Sequence, residues 1–465
     1  METKEIEKKI DDILTRGVGK FIDPDDAFRK KLLAKTRGGY TKDIVIKFGV
    51  DPTRPDIHLG HAVVLRKLRG LQDLGCKVVF LIGDYTAQIG DPTGKSKVRP
   101  EVEQKEVEAN MKTYLDQVGK ILRTDEMTFS WIRNSDWFYG VADIFSPNSV
   151  TVTQEGKSLT FPANSFLSKA AIFDQTRMQK THLHKQRIES ITFQGLLWTL
   201  KHISHGRLIQ RDMFQERIEN GEELYMHEML YPIIQGIDSL IISHLYGSCD
   251  LEVGGTDQTF NMLMGRDVMK VNKASEQSVL SFELLVGTDG KEKMSKSLEN
   301  YVAITDEPAD MYGKIMSVPD VALKNYFELC TYTPMDMVKE ILGEIEKGGN
   351  PRDAKMRLAK EIVSIYHGEG KAVAAEEAFV NIFQKGGVPE DMPEVKISRS
   401  EYEAMELLQN CFAKDDKSNS EIRRLFDQGA ISLNEEKISD PHQKVEVKEG
   451  DMVKAGKKTW FKLVK

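Results

Sequence analysis

Two short clusters combine residue types that can hold a phosphate chain. His58-Leu59-Gly60-His61 follows Gly49-Val50-Asp51-Pro52-Thr53, and both lie between an apolar strand pattern, Ile44 to Val50, and a helical pattern, Ala62 to Leu74, that Gly75 stops. At a helix start, backbone N–H groups and the helix dipole favour anions. Gly60 lets a nucleotide approach the backbone there, and two imidazoles can donate to phosphate oxygens. A surface helix start or an HxxH metal pair fits the same letters. No third metal ligand is evident, and His202-Ile203-Ser204-His205 repeats the spacing without the glycine or the preceding strand, so this second pair reads as an exposed helix end.

Lys293-Met294-Ser295-Lys296-Ser297 follows a strand pattern ending near Leu285 and a turn from Gly287 to Gly290. A loop carrying lysines and hydroxyls can clamp phosphates as negative charge builds, or it can be a solvated basic loop. Gly90 and Gly94-Lys95-Ser96 stand one position too close for a phosphate-binding GxxxxGK[ST] loop. Tyr231, Gln235 and Asp238 are spaced by four and three, which puts them on one helix face. Taken singly, they are also ordinary helix decoration.

The elements that must position these residues alternate. Strand patterns at Ile44–Val50, Val78–Ile82, Met127–Ile132, Leu251–Val253 and Val279–Leu285 are separated by helical ones at Ala62–Leu74, Glu101–Leu122 and Met226–Leu245, after N-terminal helices. This alternation predicts an α/β fold with a doubly wound parallel sheet, whose ligands sit at the carboxyl ends of its strands. Between about 141 and 190 the pattern changes to a hairpin, VTVTQ-EGK-SLTF, and a basic stretch with Lys169, Arg177, Lys180, Lys185 and Arg187, which reads as an insertion. From about Asn300 to Pro393 helical periodicity dominates, with Pro351 placed to start a helix, and Gly386–Glu394 reads as a linker. A small module of short elements ends the chain.

At 465 residues, two or three domains are expected. Hydrophobic residues at 40% and charged residues at 29% exclude a disordered or collagen-like chain. Lys plus Arg number 65 against 72 Asp plus Glu, a formal charge of -7, so a polyanion partner must meet local patches. Cys76, Cys249, Cys330 and Cys411 form no CxxC pair and fit reduced thiols. The charged start, with Ile6, Ile10, Ile13 and Leu14 at helical spacing, does not read as a signal peptide, and no run of about 18 apolar residues follows. A cytoplasmic protein without a membrane or DNA partner is expected.

In this order on an alternating chain, HLGH and KMSKS resemble the two signatures of class I aminoacyl-tRNA synthetases. Three segments narrow the resemblance to the bacterial type of tyrosyl-tRNA synthetases. Gly83-Asp84-Tyr85-Thr86-Ala87-Gln88-Ile89-Gly90-Asp91-Pro92-Thr93-Gly94-Lys95 is similar to GDxTAxIGDPSGK, Tyr231 to Asp238 to a YxxxQxxD helix, and Gly254-Gly255-Thr256-Asp257-Gln258 to a GGxDQ loop. The likeness covers nearly the whole chain except 141–190. Ser418 to Pro441 resembles a compact RNA-binding fold of a small-subunit ribosomal protein.

The resemblance implies a Rossmann-like catalytic domain over 1–298, a helical anticodon-binding domain over 299–393 and an α+β RNA-binding module over 394–465. It implies that tyrosine is activated with ATP, accompanied by Mg2+, and then passed to the 3′ end of tRNA(Tyr) by a homodimer. His58, His61, Lys293 and Lys296 would then stabilise the transition state. Gly49, Asp51, Thr53, Gly60, Gly255, Asp257, Met294, Ser295 and Ser297 would join them around ATP. Thr86, Asp91, Tyr231, Gln235, Asp238 and Gln258 would hold tyrosine, with Asp238 at the phenol hydroxyl. Arg423, Arg424, Lys454, Lys457 and Lys458 would touch tRNA. Lys47 stands where many family members carry a tyrosine that contacts the phenol. A catalytically idle RNA-binding protein and an enzyme adenylating a modified tyrosine are the competing readings.

Overall fold

A computed structural model of the chain describes residues 3–53, 56–93, 104–138, 149–154, 157–162, 191, 193–209, 211–295, 298–384, 392–413, 417–434, 436–456 and 459–465. They form two compact units, Met1–Glu369 and Gly370–Lys465.

The first unit is built on a sheet of β1 (Val18–Ile22), β2 (Val45–Val50), β3 (Lys77–Ile82), β4 (Phe129–Arg133), β7 (Leu251–Gly255) and β8 (Ser278–Phe282), in the order β1-β8-β7-β2-β3-β4. The predicted apolar runs become its central strands because both faces are covered: Val45, Ile46, Val78, Val79, Leu251 and Leu280 are all buried. From β8 to β4 every pairing is parallel. The chain adds β3 and β4 on one side of β2 and then returns to add β7 and β8 on the other. The topological switch therefore lies between β2 and β7, and a crevice opens there at the carboxyl ends.

The doubly wound parallel sheet carries one antiparallel edge strand. β1 lies antiparallel on β8, with a bulge between Val18 and Lys20. Its five residues VGKFI show no clean alternation and none is buried, so an edge strand left no pattern to read among the N-terminal helices.

The Leu59–Asp73 helix buries Leu59, Ala62, Val63, Leu65 and Leu68, and the Met226–Tyr246 helix packs Ile242 with Val45 and Val79 of the sheet and Ile233 and Ile237 with Met264 and Val268. The pattern read as Glu101–Leu122 is a helix over Gln104–Val118, and Met127–Ile132 narrows to β4. β5 (Ser149–Gln154) and β6 (Lys157–Pro162) pair as the predicted antiparallel hairpin, from Ser149 with Pro162 to Gln154 with Lys157. Its turn, at 155–156, and the basic stretch that follows lie outside the described residues, as does most of the 386–394 linker.

Pro351 starts a helix that runs to His367, capped by the Asn350 side chain, which accepts from the Arg352 N–H at 3.1 Å. This helix and those at Pro308–Met316, Leu323–Cys330 and Met335–Glu346 belong to the first compact unit.

In the second unit, β9 (Glu394–Lys396), β11 (Ile431–Leu433), β12 (Glu436–Lys437), β14 (Met452–Ala455) and β15 (Thr459–Val464) form one sheet, while β10 (Glu401–Glu403) pairs with β13 (Lys444–Glu446). Helices Ala404–Cys411 and Asn419–Asp427 complete a core that includes Leu407, Ile422, Phe426, Val453 and Phe461. No helix among the described residues is long and apolar enough to cross a membrane.

Candidate active site

The crevice is a cleft of about 570 Å³. Gly49, Asp51, Thr53, His58, Gly60, His61, Thr86, Asp91, Tyr231, Gln235, Asp238, Gly255, Asp257, Gln258, Lys293, Met294 and Ser295 all line it. Lys296 and Ser297 lie outside the described residues. Five segments far apart in the chain therefore converge on one concavity, because each stands at or just beyond the carboxyl end of a strand or on the helix packed across it.

His58 caps the Leu59–Asp73 helix. Its Nδ1 accepts from the Gly60 N–H at 3.1 Å, and its own N–H donates to His61 Nδ1 at 3.4 Å. The proton of the neutral His58 ring is consequently on Nε2, a donor for an anionic ligand. The two rings lie 3.9 Å apart between centroids, and a Cβ on Gly60 would come within 3.0 Å of the His58 ring. Across the cleft, the Lys293 ammonium sits 3.1 Å from Asp257 Oδ2 and is exposed. The His202 pair is elsewhere: His202 is exposed and donates from Nδ1 to the Trp198 carbonyl at 2.8 Å. No group of three or more His, Cys, Asp or Glu among the described residues can hold a metal ion.

Asp51 is shared between two elements. Thr86 donates to its Oδ1 at 2.7 Å and Tyr231 to its Oδ2 at 2.7 Å. Gly83 permits this, since a Cβ there would overlap both Asp51 Oδ1 and Thr86 Oγ1. Asp91 accepts from the Thr93 N–H at 2.9 Å, the Thr93 hydroxyl at 2.5 Å and Gln258 Nε2 at 2.6 Å. Arg211, buried, donates to Thr93 Oγ1 and lies 4.0 Å from Asp91 Oδ1, its guanidinium over the rings of Phe214 and Phe260. A carboxylate so placed, with Tyr231 and Gln235 nearby on the cleft wall, is chemically suited to an ammonium ion.

Asp238 lies deeper. Trp137 Nε1 donates to its Oδ1 at 2.9 Å and Asn134 Nδ2 to its Oδ2 at 3.4 Å. Burial pushes its pKa up to about 7, while Lys47 and these hydrogen bonds act to lower it. Lys47 and Glu252 are register partners on β2 and β7, buried together, with Nζ 2.8 Å from Glu252 Oε1.

Asn134, Trp137, Arg211 and Glu252 were not read as site residues in the sequence. Trp137 and Asn134 look like the end of a strand, and Arg211 like the start of a helix. Glu252 carried one signal, a charge inside an otherwise apolar strand, and Lys47 carries the same signal in IVIKFGV.

Arg423 and Arg424 are exposed, in the middle and last turn of the Asn419–Asp427 helix. The helix begins after Ser418, whose hydroxyl accepts from the Glu421 N–H at 3.4 Å. Lys454, on β14, lies over the Trp460 ring at 4.9 Å. Lys457 and Lys458 are outside the described residues.

A model of the family "tRNA synthetases class I (W and Y)" matches residues 40–144 and 164–384. The chain belongs to this family. The unmatched interval contains the β5–β6 hairpin. Along nearly its whole length the chain is also similar to tyrosine–tRNA ligases. A tyrosine–tRNA ligase of Moorella thermoacetica is 36% identical over 452 residues, 97% of this chain and 94% of that one. A tyrosine–tRNA ligase of Carboxydothermus hydrogenoformans is 36% identical over 469 residues, 100% of this chain and 99% of that one. The fold is shared with a solved structure, the C-terminally truncated mitochondrial tyrosyl-tRNA synthetase of Aspergillus nidulans, at 21% identity and a TM-score of 0.56, over 82% of this chain and 97% of that one.

Proposed function

We propose that this chain is a tyrosine–tRNA ligase that couples L-tyrosine to ATP as tyrosyl-adenylate and then transfers tyrosine to the 3′ end of tRNA(Tyr). The observation that carries the reading is one cleft in which an ammonium-type site around Asp91 and a buried acceptor, Asp238, face the HLGH helix start and the Lys293 loop. The 36% identity with full-length tyrosine–tRNA ligases supports it.

The tyrosine carboxylate is ionised near neutral pH and attacks the α-phosphate without a protein base, releasing pyrophosphate. Catalysis is then positioning and charge stabilisation. His58 donates from Nε2 and His61 lies beside it, near the positive end of the Leu59–Asp73 helix. Lys293, now paired with Asp257, turns to the departing pyrophosphate, and Lys296 acts with it. The nucleotide lies along Gly49, Asp51, Thr53, Gly60 and Gly255, with Asp257 at the ribose and Met294, Ser295 and Ser297 joining its contacts. Magnesium enters with ATP as part of the substrate.

Asp91, Tyr231 and Gln235 take the substrate ammonium, Gln258 and Thr86 steady the site, and Asp238 accepts from the phenol hydroxyl. A site built to hydrogen-bond a hydroxyl rejects the analogue lacking it by about 10⁵, a figure whose standard example is this enzyme family.

The reading extends to a catalytic part over 1–298, an anticodon-binding helical part over 299–393 and an RNA-binding part over 394–465, where the exposed Arg423 and Arg424 and the half-buried Lys454, with Lys457 and Lys458, meet tRNA phosphates. It extends also to a cytoplasmic homodimer. The direct test is tyrosine-dependent exchange of labelled pyrophosphate into ATP, with phenylalanine as control. Exchange with tyrosine alone is expected, and its absence in folded protein with magnesium would sink the reading.

A further inference from the structure

A buried lysine and a buried glutamate are costly at the floor of a small-molecule site unless they do something there. Lys47 is 1% exposed and Glu252 1%, and both line the cleft. The three protons of the Lys47 ammonium are matched by three acceptors: Glu252 Oε1, the Gln235 carbonyl and Ser239 Oγ, each at 2.8 Å. Lys47 therefore has no proton left for a ligand and acts through its neighbours.

Glu252 gathers the surrounding donors. Its Oε1 accepts from Gln235 Nε2 at 3.1 Å, and its Oε2 accepts from Ser239 Oγ at 3.2 Å and from Gln277 Nε2. The bond to Gln235 has a chemical consequence. With one amide N–H held by Glu252, the Gln235 side chain is fixed with Nε2 toward Glu252 and Oε1, its acceptor, on the opposite side, which suits an ammonium ligand. Register explains why the pair meets at all, since Lys47 and Glu252 are in-register neighbours on parallel β2 and β7, at the switch point itself.

We propose that Lys47 and Glu252 form a positioning pair for the amino acid: Glu252 holds the Gln235 amide with its oxygen available to the substrate ammonium, and Lys47 supplies the counter-charge that lets Glu252 and Asp238 be carboxylates on the same floor. The proposal rests on the tyrosine reading of the cleft. The groups facing Asp238 are Lys47 from β2, Glu252 from β7, and the uncharged Asn134 and Trp137 after β4. Lys47 and Glu252 act on it in opposite senses, the first favouring its ionised form and the second opposing it.

The test uses the full chain in tyrosine-dependent pyrophosphate exchange, with kcat/KM for tyrosine measured from pH 5.5 to 8.5. The unsubstituted chain gives the reference acid limb, and failure to exchange there would remove the tyrosine reading itself. In Lys47→Met the limb is expected to move to higher pH, and in Glu252→Gln to lower pH, each by on the order of one unit, as for a single charge acting at close range in a protein interior. Opposite shifts support the pair. An unmoved limb, or shifts of the same sign in both variants, would overturn it, because a merely structural role lowers the folded fraction without moving the limb. Should Lys47→Met not fold, Glu252→Gln decides alone: a downward shift sustains the proposal and an unmoved limb ends it.

Discussion

Tyr231 donates its phenol proton to Asp51 Oδ2 at 2.7 Å, tying the helix that crosses the cleft to the loop leaving β2. The same carboxylate accepts from Thr86 at 2.7 Å, so three elements meet on one aspartate. A single bond thus links the wall assigned to the amino acid with the loop assigned to the nucleotide. Removing a hydrogen bond to a charged group costs roughly 1.5–3 kcal/mol. Tyr231→Phe should therefore lower stability by roughly 1.5–3 kcal/mol, and, because Tyr231 also lines the cleft, raise KM for tyrosine. Steady-state exchange kinetics and thermal unfolding check both.

The cluster around His58 and Lys293 should behave differently. These donors are matched to charge that appears only as pyrophosphate departs, so His58→Ala and Lys293→Ala are each expected to lower kcat by about 10²–10³ with little change in KM. Pre-steady-state measurement of tyrosyl-adenylate formation checks this. A rise in KM at constant kcat would place these residues in ground-state binding instead.

Asp238 makes the site sensitive to acid. Burial raises its pKa to about 7, and the ionised form is the stronger acceptor for a phenol hydroxyl. Preference for tyrosine over phenylalanine should fall as pH drops through about 7, and Asp238→Asn should flatten that dependence. The same shift has a stability sign. A carboxyl whose folded pKa lies above its unfolded one contributes stability that is complete below the unfolded pKa and is lost as pH rises through the folded value near 7. Chemical denaturation of the ligand-free chain at pH 5 and pH 8, compared with Asp238→Asn, measures that contribution.

Gly83 offers a steric test that changes no charge. A methyl group there meets Asp51 Oδ1 and Thr86 Oγ1, and breaking their bond should cost roughly 1–3 kcal/mol of stability and most of the exchange activity. An alanine variant with full activity would show that the Asp51–Thr86 bond is dispensable.

The second unit calls for a test of RNA contact alone. Arg423→Glu with Arg424→Glu should weaken tRNA binding by tenfold or more, reduce its salt dependence by about two phosphate contacts and leave pyrophosphate exchange intact. Charging assays at several salt concentrations separate this from a defect in the catalytic cleft.

Much of the site was legible in the sequence because its motifs sit directly after apolar strands, where an open α/β sheet gathers ligands. Gly49 and Gly255 stand in the last residues of such runs and Asp51, His58 and Lys293 come after them, and all line one cleft. The supporting residues were not legible, because their roles exist only in three dimensions. Trp137 reads as a core aromatic until its Nε1 is found on Asp238, and Arg211 gains its meaning from Thr93, 118 positions away. β1 escaped for a different reason. An edge strand with no buried residue carries none of the hydrophobic period by which strands are found.

The position of β1 also governs when the enzyme can come into being. Val18 pairs with Phe282, so within the six-stranded sheet the edge strand β1 closes against β8, the strand of that sheet latest in the chain. At roughly 5–20 residues per second the ribosome needs on the order of 10–50 seconds to supply that partner. Until then the growing polypeptide has β2, β3, β4 and, near the end of that interval, β7, but not the strand that covers β1. Maturation of the catalytic centre is thus an event timed by translation itself, and a pause before β8 emerges would leave an exposed half-sheet for chaperones to shield.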